Sequence, residues 1–285
     1  MRVEPFTVRQ WCLDFGGVAR TGELTRVGVD AHSLKVAVCR GEILRVREGV
    51  YATTDTPVEV ITAVAHGGTV GCLSRLRDAG LWVLDQEDER IHVSMPRSGR
   101  LRQHDDCSCV MHWSGGRASG GLAPIVDALA QVLGCIGVED FFVALESAMR
   151  KRLVDRLALG RLRTRIPAMH RWLIDFARWD ADSGLESLLR LRLRRLGLEL
   201  ASQVRIPGVG QVDFVLGDLI VLEVDGVPGH ADSAESRHKD LVRDAVASTY
   251  GLEALRFDYA LVLHDWPLVE AAILAAVERA RVRLR

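Results

Sequence analysis

The sequence has almost no net charge. Its 37 Lys and Arg face 38 Asp and Glu, a formal charge of −1 at pH 7 and a pI near 6.8. That balance excludes a protein that coats nucleic acid through global positive charge, but it leaves room for a local basic face. No uninterrupted apolar run reaches the roughly 18 residues of a membrane helix, so no membrane partner is expected. The opening residues, MRVEPFTVRQW, lack the apolar core of a secretory leader. The 6 cysteines are scattered without a framework pattern and read as reduced thiols, so a cytoplasmic location is expected. Two common site motifs are also missing. GGRASGG has no Lys-Ser/Thr and no preceding strand, so it is no phosphate loop, and there is no G-x-S-x-G elbow. Lysine is scarce beside arginine, which reflects the coding bias of a GC-rich, bacterial-type genome and carries no functional meaning.

What is present is an ordinary globular composition. Hydrophobic residues make up 48% and charged ones 26% of 285 residues, enough for more than one core at roughly 150 residues per domain. In TVRQWCLDF, Val8, Trp11, Cys12 and Phe15 fall on one helical face. GGVART turns the chain. TGELTRVG is a short helix with Thr21 as its N-cap, and VDAHSLKVAVCRG is a third, opened by Asp30 and closed by Gly41. EILRVREGVYAT alternates like a β-hairpin. Three short helices and a hairpin predict a winged helix-turn-helix over residues 1–55. There the third helix would offer His32, Ser33, Lys35 and Arg40 to the major groove, and the wing would offer Arg45 and Arg47 to phosphates. A small packing module between proteins is the alternative.

Residues 56–120 predict a small α+β extension, with helices in PVEVITAVAHGG and CLSRLRDAGLW and strands in RIHVSMP and CVMHWSG. Residues 121–180 predict a helical connector. Its basic run Arg150, Lys151, Arg152, Arg156, Arg161, Arg163 and Arg165 is either a solvated face or a phosphate-facing one. HDDCSCVMH holds the soft donors His104, Cys107, Cys109 and His112. C-x-C is tighter than the usual zinc spacing, so the stretch is read as a strand of a small sheet.

The last hundred residues change character. SGLESLLRLRLRRLG is a helix with Ser183 and Glu186 as a capping box, ended by Gly197. LELASQVRI, GQVDFVL and DLIVLEVDG are strands, SAESRHKDLVRDAVASTYG a helix, LEALRF a strand and PLVEAAILAAVERARVRL a closing helix. The order α-β-β-β-α-β-α predicts a mixed sheet with helices on both faces over residues 181–285. Alternation puts Glu223 and Asp225 on one face, and the tight turn at Gly217-Asp218 brings Asp213 near Glu223. Such carboxylates repel one another, and burial raises the cost further. A divalent cation relieves both penalties, and hard carboxylate oxygens suit Mg²⁺ or Mn²⁺, with Asp213 and Glu223 as its ligands. Glu186 can complete the site, and His230 can orient a water or a leaving phosphate.

GLES with Glu186, QVDF with Asp213, LEVDG with Glu223 and Asp225, His230, the helix residues Asp240, Arg243 and Asp244, and LRF together resemble the PD-(D/E)xK nuclease superfamily. The similarity is to its branch near very-short-patch mismatch repair endonucleases, over about residues 180–280. The resemblance implies a restriction-endonuclease-like domain and metal-dependent cleavage of double-stranded DNA. Glu186, Asp213, Glu223, Asp225 and His230 would be catalytic. Arg190, Arg192, Arg194, Arg195 and Arg243 would contact phosphates. The superfamily lysine is replaced here by Asp225. Residues 5–53 resemble the winged-helix domain of AbiEi-type antitoxins, carried by GGVARTGELTRVGVDAHSLKVAVCRGEILRVREGVYAT. That likeness implies DNA binding, with a cognate toxin or a homodimer as further partners. The alternative to a nuclease is therefore an autoregulator of toxin–antitoxin type with an inactive nuclease-like domain.

Overall fold

The computed structural model describes residues 7–84, 87–102, 107–115, 121–225 and 234–283. The described residues are mixed α/β with three small open sheets, and the chain divides into two compact units, Met1–Ala177 and Arg178–Arg285.

The first unit opens with α1 (Val8–Asp14), β1 (Val18–Arg20), α2 (Thr21–Arg26), α3 (Ala31–Cys39), β2 (Ile43–Arg47) and β3 (Val50–Thr53). The expected hairpin is β2–β3, with a bulge between Arg45 and Arg47. GGVART does more than turn the chain. After Gly16 and Gly17, both at positive φ, it pairs Val18–Arg20 antiparallel with β3, giving a three-stranded sheet β1-β3-β2. Thr21 is not the cap of α2. Arg20 holds that position, and its N–H donates to the Glu23 carboxylate at 2.7 Å. Asp30 caps α3 as expected, accepting from the Ser33 N–H at 2.7 Å. Cys12, Ala19, Leu24, Val29, Leu34, Ala37 and Ile43 form one apolar core.

A second core continues from the same sheet. Val18, Val50 and Ala52 pack with Val60, Ala63 and Val64 of α4 (Val58–His66), Val70 of β4 (Thr69–Val70) and Val93 and Met95 of β5 (His92–Pro96). The rest of this unit is α5 (Cys72–Asp78), β6 (Val110–Gly115), α6 (Ile125–Cys135), α7 (Val138–Arg150), α8 (Arg156–Arg165), a 3-10 turn (Ala168–His170) and the short α9 (Trp172–Phe176). Strand β5 is central, antiparallel to β4 and parallel to β6. Several members of the basic run have partners within the unit. Arg165 pairs with the buried Asp127, Arg163 pairs with Asp175, the Lys151 amine donates to the Gly80 carbonyl, and Arg150 lies over Trp82.

The second unit runs α10 (Gly184–Arg195), β7 (Leu200–Ile206), β8 (Gly210–Leu216), β9 (Ile220–Asp225), α11 (Ala234–Thr249), β10 (Glu253–Asp258), α12 (Tyr259–His264) and α13 (Trp266–Arg283). The expected element order holds, with the closing helix preceded by the short α12. The sheet order is β10-β9-β8-β7. The three consecutive strands form an antiparallel meander, and β10 joins β9 in parallel after the α11 crossover. Val215 and Val221 pack with Val246 and Ala247 of α11, while α10 and α13 contact β9. Phe214, Leu216, Ile220, Leu222 and Val224 are buried. These alternate along their strands with the positions that carry the site.

Candidate active site

The β8–β9 ladder fixes which side chains meet. Phe214 pairs with Leu222, Val215 with Val221 and Leu216 with Ile220. Residues two apart along a strand share a face, so Asp213 and Val215 lie on the face of Val221, Glu223 and Asp225. Beyond Phe214 a side chain takes over from the ladder. Asp213 Oδ2 accepts from the Val224 N–H at 2.9 Å. The carboxylate is thus wedged where the two strands part.

On the other side of Asp213 is the start of α10. The Ser183 hydroxyl accepts from the Glu186 N–H at 3.1 Å, which is the first half of the expected capping box. The Glu186 carboxylate, however, is taken up by Gln203, whose Nε2 donates to Oε2 at 2.9 Å. Gln203 has φ +55, a left-handed conformation that costs a non-glycine residue of order 1–3 kcal/mol and clusters at functional sites. It sits in β7 between the pairs Ser202↔Phe214 and Val204↔Val212, the position facing Asp213.

Electrostatics follow from this crowding. Glu186 is only 7% exposed, and burial, aided by the Asp213 charge, pushes its carboxyl up to about 7. Burial also raises Asp213, against the Val224 hydrogen bond, and the charges of Glu223 and Asp225 add to the rise. Asp182 adds negative charge to both groups. These are hard oxygen donors whose ionised forms are costly together, the chemistry that a divalent cation would offset. Asp213, Glu186 and the exposed Asp225 carry such oxygens, but they do not form a group of three whose ligand atoms all lie within 4.8 Å of one another, so the chain does not present them as a closed ion cage.

Glu223 is different. Its Oε1 accepts from Arg243 Nη2 at 2.7 Å and its Oε2 from Arg256 Nε at 2.6 Å, so both oxygens are occupied by arginines. Arg256 also pairs with Asp244 at 2.7 Å, and Arg243 donates to the Val209 carbonyl at 2.8 Å. The expected metal ligand is therefore a hub of ion pairs, and the expected phosphate contact Arg243 is part of the same hub. Asp244 is likewise a partner of Arg256. His230 lies outside the described residues, as does the side chain of Asp240.

The arginines of α10 divide. Arg194 and Arg195 are exposed, as phosphate contacts need to be. Arg190 is 6% exposed, which corrects its assignment to the DNA surface. Almost all of α10 from Leu185 to Leu193 is buried, and Arg190 is buried with it. Arg192 donates to the Val262 carbonyl and stacks over Trp266 at 5.1 Å, inside its own unit. Gln203 and Asp182 were not singled out by sequence, and Arg256 entered only as the middle residue of LRF. Gln203 was accessible through the strand register, whereas Arg256 reaches Glu223 only through the parallel β10 pairing, where the two are direct partners.

In the first unit, His32, Ser33, Lys35 and Arg40 are all exposed on or just after α3, and Arg45 is exposed on β2. Arg47 is not a free wing cation. Its Nε donates to the Val64 carbonyl of α4 at 2.8 Å, and burial beside Arg102 and Arg20 lowers its affinity for its proton. No protein-family model matches the chain, and no curated protein matches it.

Proposed function

We propose that this protein is a metal-dependent DNA endonuclease. In this reading residues 178–285 form a restriction-endonuclease-like domain and the first 55 residues a winged helix that delivers it to double-stranded DNA. One observation carries the proposal: two carboxylates, Glu186 bonded to Gln203 and Asp213 opposite Gln203 in the strand register, are each pushed toward the neutral form, and Asp225 shares the Asp213 face. Enzymes place costly carboxylates together where they have work to do. Asp213, Asp225 and Glu186 would hold Mg²⁺ or Mn²⁺, which when bound supplies a polarised phosphoryl oxygen and a more acidic water. The side chains do the rest. Glu186, whose ionised form is costly in the empty site, would be held ionised by the cation and would position the attacking water beside it. Gln203 holds its carboxylate in place, and the Val224 N–H orients Asp213. Arg194 and Arg195 receive the DNA backbone, and Lys35, Arg40 and Arg45 do so in the first unit.

A second reading, an autoregulator with an inactive nuclease-like domain, is favoured by Glu223. Its carboxylate is neutralised by two arginines, and Asp225 stands where the superfamily has lysine. Incubation of the untagged protein with supercoiled plasmid in Mg²⁺, Mn²⁺ or EDTA, beside Asp213→Ala, separates the two. Cation-dependent nicking by the wild type alone supports the enzyme. No cleavage, with salt-sensitive binding to the protein's own promoter in preference to random DNA, supports the regulator.

A further inference from the structure

The first unit brings together four side chains that no local motif connects. Cys72 opens α5, His92 opens β5, His112 lies on β6, and Cys135 ends α6. Their Sγ and imidazole nitrogen atoms all lie within 4.8 Å of one another. His92 Nδ1 is 3.1 Å from His112 Nε2 and 3.9 Å from Cys135 Sγ. A tetrahedral ion bound at about 2.3 Å by sulfur and 2.0–2.1 Å by nitrogen sets its donors about 3.3–3.8 Å apart, so these separations bracket the required ones.

Three details of the surroundings point the same way. His92 Nε2 faces Asp88 Oδ2 at 3.2 Å, and Asp88 is itself held by Arg90. Donation of the Nε2 proton to a carboxylate leaves Nδ1 with a lone pair aimed into the cluster, the arrangement that orients metal-binding histidines. Cys72 has φ +43, a left-handed conformation that a cysteine adopts only when its surroundings enforce it. Gln131 enforces it. Its Oε1 accepts from the Cys72 N–H at 2.8 Å and its Nε2 donates to Ser94 Oγ at 2.8 Å. Gln131 stands one helical turn before Cys135 on α6, and Ser94 stands two residues after His92 on β5. A single buried amide thus ties three of the four donor-bearing elements in register. Cys72 and His92 are fully buried, so two of the donors converge away from water.

We infer that Cys72, His92, His112 and Cys135 form a structural zinc site that clamps α5, β5, β6 and α6 together. Two sulfurs and two imidazoles suit zinc rather than Mg²⁺, and four protein ligands leave no open position, so the site is structural rather than catalytic. It is separate from the carboxylates of the second unit and does not depend on their reading. A second group, His66, Cys107 and Cys109, offers three donors and serves as the internal control.

The test is metal analysis of the untagged full chain, with circular dichroism to verify folding. Cys135→Ser, at an exposed cysteine, and His112→Gln should each lower zinc content by about one equivalent per chain. They should also lower the melting temperature of the chain, while Cys39→Ser and Cys107→Ser leave that equivalent in place. Cobalt-exchanged wild type needs no variant. It should show the intense visible bands of a tetrahedral ion, thiolate-to-metal charge transfer, and two sulfur and two nitrogen neighbours by X-ray absorption. Zinc retained in folded Cys135→Ser, zinc lost only in Cys107→Ser, or a folded wild type that carries no zinc and takes up no cobalt would each overturn the assignment.

Discussion

Replacing Glu186 by Gln should make the second unit more stable, and only above the acid range. The folded chain holds a proton on Glu186 up to about pH 7, whereas an unfolded chain releases it near the ordinary value of 4.5. Between those values the folded state binds more protons, so stability falls as pH rises through this window and levels off above it. A rise from 4.5 to about 7 corresponds to about 3 kcal/mol, and Asp213, raised in the same direction, adds to the trend. Glutamine stays neutral, and its carbonyl can still accept from Gln203 Nε2. Glu186→Gln should therefore gain up to about 3 kcal/mol at pH 8 and nothing at pH 4.5. Urea unfolding at both values, with the intact fragment from residues 178–285 followed by pulse proteolysis, measures the difference. Saturating Mg²⁺ at pH 8 should narrow the gap by stabilising the wild type, by about 2.7 kcal/mol at a hundred times its dissociation constant. A variant less stable than wild type at pH 8, or a gap independent of pH, would refute the reasoning and make Glu186 an ordinary satisfied carboxylate.

Other outcomes follow from the same contacts. Arg243→Ala removes the donor to Glu223 Oε1 and to the Val209 carbonyl, and should destabilise the second unit by about 1–3 kcal/mol in the same assay. Lys35→Ala, Arg40→Ala and Arg45→Ala should each weaken binding to duplex DNA of any sequence. Each should also reduce the slope of log affinity against log salt by about 1, as fluorescence anisotropy would record. Arg190→Ala should leave that slope unchanged, because Arg190 is buried. Leu24→Ala, in the core of the first module, should cost about 2–5 kcal/mol of its stability.

The sequence carried the second unit's element order because its strands are half buried. Alternation put Glu223 and Asp225 on one face, and the turn at Gly217-Asp218 brought Asp213 to it, as the Val215↔Val221 pairing requires, although α11 covers part of that face at Val215 and Val221. The short strands were not legible. Val18–Arg20 is 3 residues long and Thr69–Val70 only 2, too short for any period. The error at Arg190 has a related cause. A helix buried on nearly every side shows no clean polar stripe, so a charged residue within it looks exposed. Partners distant in the chain were the least legible. Nothing local to Glu223 announces Arg243 or Arg256, which arrive through the α11 crossover and the parallel strand that follows it. The Cys72, His92, His112 and Cys135 cluster failed for the same reason. Zinc spacing rules search for close pairs, and here each donor comes from its own element. HDDCSCVMH is the stretch with closely spaced donors, and only His112 of it joins the four.

The claim that the second unit's carboxylates converge in order to bind a divalent cation is tested most directly by titrating Mn²⁺ into the full chain. The paramagnetic signal of the free ion is followed for wild type, Asp213→Asn and Glu186→Gln, with zinc already bound in all three. The wild type should show a saturable Mn²⁺ site that Mg²⁺ displaces, that is lost in Asp213→Asn and that is weakened in Glu186→Gln. Equal binding by folded wild type and Asp213→Asn, or none by either, would contradict it.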